Sequence, residues 1–331
     1  MIWASWRQQR LQLITLLGLL VVGAAAIALL RSNMIGALAS AQLTDCVTLP
    51  LEQCTAPAGT VKSFVETWAN PMDVGRMLII CAPALIGVFV GAPLFARELE
   101  QGTHVLAFTQ SVSRTRWMSS KLLIALVPAL VVLVAFQWLV TWWLSAAGTL
   151  GPLMNGPFTA VNFGITHVSP AGYALFAFAL GTFLGVVSRR TLVAMTAGLG
   201  AFVVVRFALA GVVDRLVPAQ RQELPHDADL TVLYRSDRLV LDGGWLDASG
   251  HPVPDDRASA LLQACKSAPG GAPNTQEAFL TCLPQSGLVK KYSLFIPESQ
   301  AWQVHLVDAT IFTALALVLL AGTAWALRRQ S

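Results

Sequence analysis

The chain has 331 residues, 55% of them hydrophobic and only 12% charged, with a formal net charge of +4. Soluble domains average about 25% charged residues, so this composition, with a mean hydropathy of +0.62, excludes a water-soluble globule and indicates a polytopic membrane protein. The sequence holds no Gly-x-x-x-x-Gly-Lys-Ser/Thr, no His-Glu-x-x-His and no Gly-x-Ser-x-Gly, so it offers neither a phosphate-cradling loop nor a recognisable hydrolytic centre.

Residues 1–12 read MIWASWRQQRLQ. Ile2, Trp3 and Trp6 can face lipid while Arg7 and Arg10 face phosphate groups, which describes an interfacial helix; an unstructured start with a basic flank fits equally. Leu13 to Leu30 is the first predicted span. Ala37-Leu38-Ala39 resembles a signal cleavage site, but the apolar run is longer than a signal h-region of about 7–15 residues, so the helix is expected to be retained. Ser32 to Gly75 is polar and contains Cys46, Pro50, Cys54, Pro57 and Pro71. Arg76 to Phe95 is the second span, kinked or broken by Pro83, with Pro93 as a candidate end.

Residues 96–121, ARELEQGTHVLAFTQSVSRTRWMSSK, form a long polar interruption with ordered charge. Arg97, Glu98 and Glu100 open it, Gly102 and Thr103 break it, and Arg114, Arg116 and Lys121 close it. A connector needs only a few residues. The plain reading is a basic loop that fixes orientation. Orientation does not need Glu98 and Glu100, however, and Val105, Leu106 and Phe108 make a short apolar edge suited to a helix lying flat at a membrane surface. The stretch reads better as a docking surface.

Leu122 to Ala146 is the third span, with Trp138, Trp142 and Trp143 placed for an aromatic belt. A Gly/Pro/Asn-rich loop precedes the fourth span, Pro170 to Val187. Ser188-Arg189-Arg190-Thr191 is a tight turn and Leu192 to Val213 the fifth span. Asp214 to Gln303 is expected to form a small folded domain, and Val304 to Leu327 the sixth span, ending at Arg328 and Arg329. The fold class is thus an all-α polytopic membrane protein of six transmembrane helices with a small extracytoplasmic domain before the last. Its divisions are 1–12, 13–213, 214–303 and 304–331.

Two signals orient it. Arg7, Arg10, Arg97, Arg114, Arg116, Lys121, Arg189, Arg190, Arg328 and Arg329 fall on one side of a six-span chain, which makes that side, and both termini, cytoplasmic. Cys46 and Cys54 share one outer loop and Cys265 and Cys282 the other, as expected for disulfides in an oxidising compartment. Cys81 lies inside a span and reads as a small apolar filler. Zinc is disfavoured at the four paired cysteines, whose spacing is not Cys-x-x-Cys. His226, Asp227 and Asp229 resemble metal ligands only superficially and are expected to be solvated; no metal site is assigned.

Arg206 lies within the fifth span, in VVVRFALAG. An arginine at the centre of a membrane helix costs about 2.5–3.5 kcal/mol on insertion scales. It either snorkels to the interface or turns inward to pair. Asp308, in the sixth span, is at a depth where it could neutralise Arg206.

Arg97, Glu98, Glu100, Gly102, Thr103, Gln110, Ser111, Arg114, Trp117 and Lys121 together resemble the loop between the second and third spans of actinobacterial ABC-2 type transporter permeases. Arg206 in VVVR, and Pro297, Ser299 and Trp302 before the last span, extend the resemblance, with His305 in place of the usual Gln and Asp308 in place of the usual Glu. The resemblance implies a type V, ABCG-like six-helix permease of an ATP-driven exporter in the bacterial plasma membrane. It further implies a cytoplasmic coupling helix in the 96–121 loop that docks on a separate ABC ATPase through Arg97, Glu98, Glu100, Gly102, Thr103, Gln110, Arg114 and Arg116. A second permease copy would complete the pathway. ATP and Mg would sit on the partner, with no cofactor and no nucleic acid on this chain. The alternative, from another class, is a membrane-anchored sensor or scaffold working through its outer domain.

Overall fold

The computed structural model describes residues 2–50, 53–101, 114–213, 215–228, 238–266 and 276–329; the side chains of residues 2–9 and 114–116 lie outside that description. The chain divides into two compact units: Met1–Asn155 with Thr159–Val213 and Trp302–Ser331, and Asp214–Ala301 with Gly156–Phe158. Among the described residues, six helices are long and apolar enough to cross a membrane. A small four-stranded sheet falls between the fifth and sixth in the sequence.

The first helix, α1 (Ile2–Ser40), is continuous over 39 residues, about 58 Å at 1.5 Å per residue. No break falls at residue 12, and the helix continues ten residues past the expected end of the first span. The reason lies in the supposed polar loop: Met34 and Leu38, four apart and on one face, are both buried. The next helix, α2 (Ala58–Ile86), likewise starts 18 residues before the expected Arg76. Phe64, Trp68, Met72, Gly75 and Ile79 follow helical spacing and turn inward, and Lys62 pairs with Glu66 one turn on. An amphipathic helix was therefore written in a segment whose interspersed polar residues hid it.

Pro83 does not break its helix, and Pro93 does not end one. α2 runs through Pro71 and Pro83, passes into a single π turn at Gly87–Gly91 and continues as α3 (Ala92–Glu100). The π turn absorbs an extra residue, closed by Ala92 N–H on the Gly87 carbonyl. Pro93 then falls in the first turn of α3, where a missing N–H costs little, so it starts a segment rather than ending one.

The remaining membrane helices are α4 (Arg114–Leu144), α6 (Ser169–Ser188), α7 (Thr191–Val213) and α10 (Ala301–Arg329), with a one-turn α5 at Ala160–Phe163. α6 is the core of the unit and is buried on nearly every side, as expected of a helix apolar all round. It meets the π turn backbone to backbone. A Cβ on Gly87 would lie 2.7 Å from the Ala177 carbonyl oxygen, one on Gly91 2.6 Å from that of Phe178, and one on Gly185 2.6 Å from that of Ala92. Small residues at such contacts let membrane helices approach closely. By contrast α1 and α7 keep most of their apolar surface outward, including Leu11, Leu17, Val22, Leu192, Val204 and Phe207.

The tryptophans of α4 split. Trp138 is exposed and stacks on Trp142, while Trp143 is buried against Gly75 rather than belonging to a belt. Arg31 lies over the Trp142 ring at 4.2 Å and donates to the Trp142 carbonyl. Cys81 is exposed on α2 and so fills no packing gap.

The second unit holds an antiparallel sheet of order β1-β4-β2-β3: β1 (Gln220–Pro225), β2 (Arg238–Leu246), β3 (Pro252–Val253) and β4 (Lys290–Pro297). β2 carries a bulge between Val240 and Asp242 against β4. Two helices, α8 (Asp255–Lys266) and α9 (Gln276–Gln285), supply Ala258, Cys265 and Leu283 to a core shared with Leu288 and Trp245. Both cysteine pairs are joined, Cys46 to Cys54 and Cys265 to Cys282, with Cα atoms 4.9 and 5.7 Å apart.

Candidate functional site: a basic junction and a polar chain between the helices

Two places in the helical unit collect the residues singled out above. The first is the junction where α3 ends, α4 begins and α6 turns into α7. Glu98 and Glu100 do not present a free acidic surface there. Glu98 pairs with Lys121 of α4, whose side chain is 5% exposed and whose ammonium lies 4.6 Å above the Trp117 ring. Trp117 packs in turn on Phe95 at 5.5 Å, in a cluster with Leu122, Phe178, Val186 and Leu327. Glu100 reaches the first turn of α7: its Oε2 accepts from the Thr191 hydroxyl at 2.9 Å and the Thr191 N–H at 3.2 Å. Helix starts leave orphan N–H donors, and a carboxylate there also suits the helix dipole.

Apart from Glu100, which is exposed but bonded to Thr191, the charged groups outward at this junction are basic. Arg97, Arg189 and Arg190 are exposed, as are Arg328 and Arg329 at the end of α10. Arg189 has a φ of 53°, in the left-handed region, so that α6 reverses into α7 over two residues. Gly102, Thr103 and Gln110 lie outside the described residues, as do the side chains of Arg114 and Arg116.

The second place is a chain of polar groups between α6, α7 and α10. The Arg206 guanidinium lies 3.5 Å from the centre of the Tyr173 ring, an inward position, not a snorkelling one. Asp308 is 3% exposed. Its carboxyl faces the Tyr173 and Ser169 hydroxyls and the Arg206 charge, and its Oδ2 makes no hydrogen bond among the described residues. The expected neutralisation of Arg206 by Asp308 thus runs across Tyr173 rather than through a direct pair.

The chain continues through residues that the sequence reading did not bring together. His305 is fully buried, with Ser169 Oγ 2.8 Å from its Nδ1 and Thr166 Oγ1 3.3 Å from its Nε2. Its ring stacks on Phe163 at 4.0 Å, with His167 at 4.5 Å. Thr166 donates its own proton to the Asn162 carbonyl, so it accepts from His305 Nε2–H. Ser169 has one proton and two acceptors before it, His305 Nδ1 and the Asp308 carboxyl. Asn162 Oδ1 accepts from Arg76 at 3.2 Å, and Arg76 pairs with Asp73. The one available signal was spacing: His305 and Asp308 are three apart on α10, and Ser169 and Tyr173 four apart on α6, so each pair shares a helix face.

In the second unit, His226 and Asp227 line an open cleft with Gln276 and Glu277. No group of three metal-ligating side chains occurs among the described residues, and Asp229 lies outside them.

The six apolar helices and the buried charges between them define a multi-pass membrane protein. The family of ABC-2 membrane transporter related proteins matches residues 17–213. That is more than half of the chain, and the protein belongs to this family. No curated protein and no solved structure matches it.

Proposed function

We propose that this chain is the membrane subunit of an ATP-driven exporter of the ABC-2 class, with the type V, ABCG-like six-helix arrangement of actinobacterial permeases. The observation that carries the reading is the family membership, which spans the first five membrane helices. Two permease copies would pair with two ABC ATPase chains, which bind the ATP and Mg. The exposed arginines at the α3, α6–α7 and α10 ends all lie at one end of the helices, which supports a reading with that end and both termini in the bacterial cytoplasm. The joined cysteines then fall outside, where disulfides persist.

The stretch 96–121 enters a partner's cleft. With Glu98 paired to Lys121 and Glu100, though exposed, engaged by Thr191, Arg97 and the basic groups around it carry the docking, and the glutamates hold the frame. ATP binding on the partner shifts the junction as a rigid body and biases the cavity between permeases toward one side or the other. The test is copurification of the full chain from its native membrane and identification of any ABC ATPase that comes with it, followed by measurement of that ATPase's ATP hydrolysis with and without this chain. Recovery of a stoichiometric complex supports the exporter. A chain that purifies without any ATPase, and whose outer domain alone accounts for its phenotype, is the membrane-anchored scaffold instead.

A further inference from the structure

We propose that Glu100 is a positioning residue that pins the first turn of α7 to the end of α3, so that movement of the coupling stretch is delivered to the fifth span. The inference rests on the exporter reading and concerns how its coupling is transmitted.

Helices are usually capped by the residue just before them, most often Ser, Thr, Asp or Asn. α7 is preceded by Arg190, which has no side-chain acceptor. The one nearby hydroxyl, Ser188 Oγ, is already engaged with the backbone of Arg190, at 3.1 Å to its carbonyl and 3.4 Å to its N–H. The cap comes from Glu100, 91 residues earlier in the sequence.

The surroundings show why such a cap would matter. α3 is locked to α6 by the Gly185–Ala92 backbone contact, so those two move together. α7 packs on α6 through Ala194, Gly198 and Phe202, the last with its ring 6.2 Å from that of Phe176, but in the chain it follows α6 after only Arg189 and Arg190, with Arg189 in a left-handed conformation, a joint at which the start of α7 can shift. Much of the α7 surface is outward, and packing holds it less than it holds α6. Beside that packing, two polar contacts among the described residues fasten it: Glu100 on Thr191, and Arg206 on Tyr173. The second is 15 residues further along, about 22 Å at 1.5 Å per residue. Glu100 restrains that shift at the joint, and it lies within the coupling stretch 96–121 itself.

The test uses the full chain in complex with its ATPase in lipid nanodiscs. Spin labels are placed at Val212→Cys on α7 and Leu306→Cys on α10, both at exposed positions, in a Cys81→Ala background. Their separation is measured by pulsed EPR without nucleotide and after ATP–vanadate trapping. The unsubstituted chain is expected to change separation on trapping. Glu100→Ala, the milder Glu100→Gln and Thr191→Val should each shrink that change by half or more while ATPase recovery stays within twofold. Thr196→Val, whose hydroxyl bonds only its own helix, should leave it intact. An oxidised Glu100→Cys/Thr191→Cys pair should restore it, which loss of fold would not permit. An unchanged separation shift in Glu100→Ala and Glu100→Gln overturns the inference and leaves the exporter standing. If the unsubstituted chain recovers no ATPase, or its labels ignore trapping, the exporter reading falls and this inference with it.

Discussion

Replacing Gly91 with alanine should loosen the helical unit at its centre. The added Cβ would lie 2.6 Å from the Phe178 carbonyl oxygen and 3.1 Å from its Cα, where ordinary contact is 3.4–4 Å. The shortfall against the oxygen is therefore about 0.8 Å, and both opposing atoms are backbone, so no side-chain rotation relieves it. Overpacking of this kind costs typically about 1–3 kcal/mol. The same change at Gly36 of α1 meets nothing within 4 Å, and exchanging glycine for alanine within a helix gains roughly 0.5–1 kcal/mol. The two substitutions are chemically identical and should have opposite signs. Reversible SDS unfolding of the detergent-solubilised chain, followed by circular dichroism, measures both. Equal midpoints for Gly91→Ala and Gly36→Ala would refute the claim that α6 and the π turn meet backbone to backbone.

Glu98→Ala should destabilise the chain by about 3–5 kcal/mol, because it strands the buried ammonium of Lys121, while Glu98→Leu with Lys121→Met should recover most of that loss in the same SDS titration. Arg206→Ala should reduce transport per inserted complex more than it reduces insertion, since insertion becomes easier when a charge leaves a span; Tyr173→Phe keeps the ring under the guanidinium and should be milder than Tyr173→Leu, by roughly 0.5–2 kcal/mol. Reducing the Cys265–Cys282 bridge, which closes a separation of 17 residues, should cost the second unit about 3 kcal/mol in the chain-entropy model, read by limited proteolysis with and without reductant. The Ser249 hydroxyl, followed by the backbone N–H of His251, holds the Asp247 carboxyl below its ordinary range. A depressed folded value means that the turn is supported above the usual aspartate range, near pH 4, and loosens as pH falls through the lowered value; carbon-detected NMR titration of Asp247 beside Asp247→Asn checks the sign.

Much of this protein was legible without coordinates because a bilayer constrains sequence strongly. Spans must be long and apolar, so six of them, the tight Arg189–Arg190 turn and a polar domain before the last helix could be read from hydropathy alone. The cysteine pairs were legible because partners close in sequence need little chain to meet. The ends of the helices were not. Residues 32–40 and 58–75 carry Ser32, Asn33, Lys62, Glu66, Asn70 and Asp73 among their apolar positions, and it was the packing of Met34, Leu38, Phe64 and Met72 that decided that they are helical. Pro83 and Pro93 looked like breaks because local rules cannot foresee that the helix passes on through a π turn at Gly87–Gly91 and that Pro93 falls in the first turn of the next segment, where no N–H is needed. The candidate site shows the same division. Arg206 and Asp308 stood out as charges in apolar surroundings, but nothing local placed Tyr173 between them or brought Ser169 and Thr166 to His305. Glu98 and Glu100 looked like a surface for a partner because a lone sequence does not reveal that Lys121 and Thr191, 23 and 91 positions away, are already holding them. Composition dictates which segments leave water; which polar group meets which inside is settled only when the helices pack.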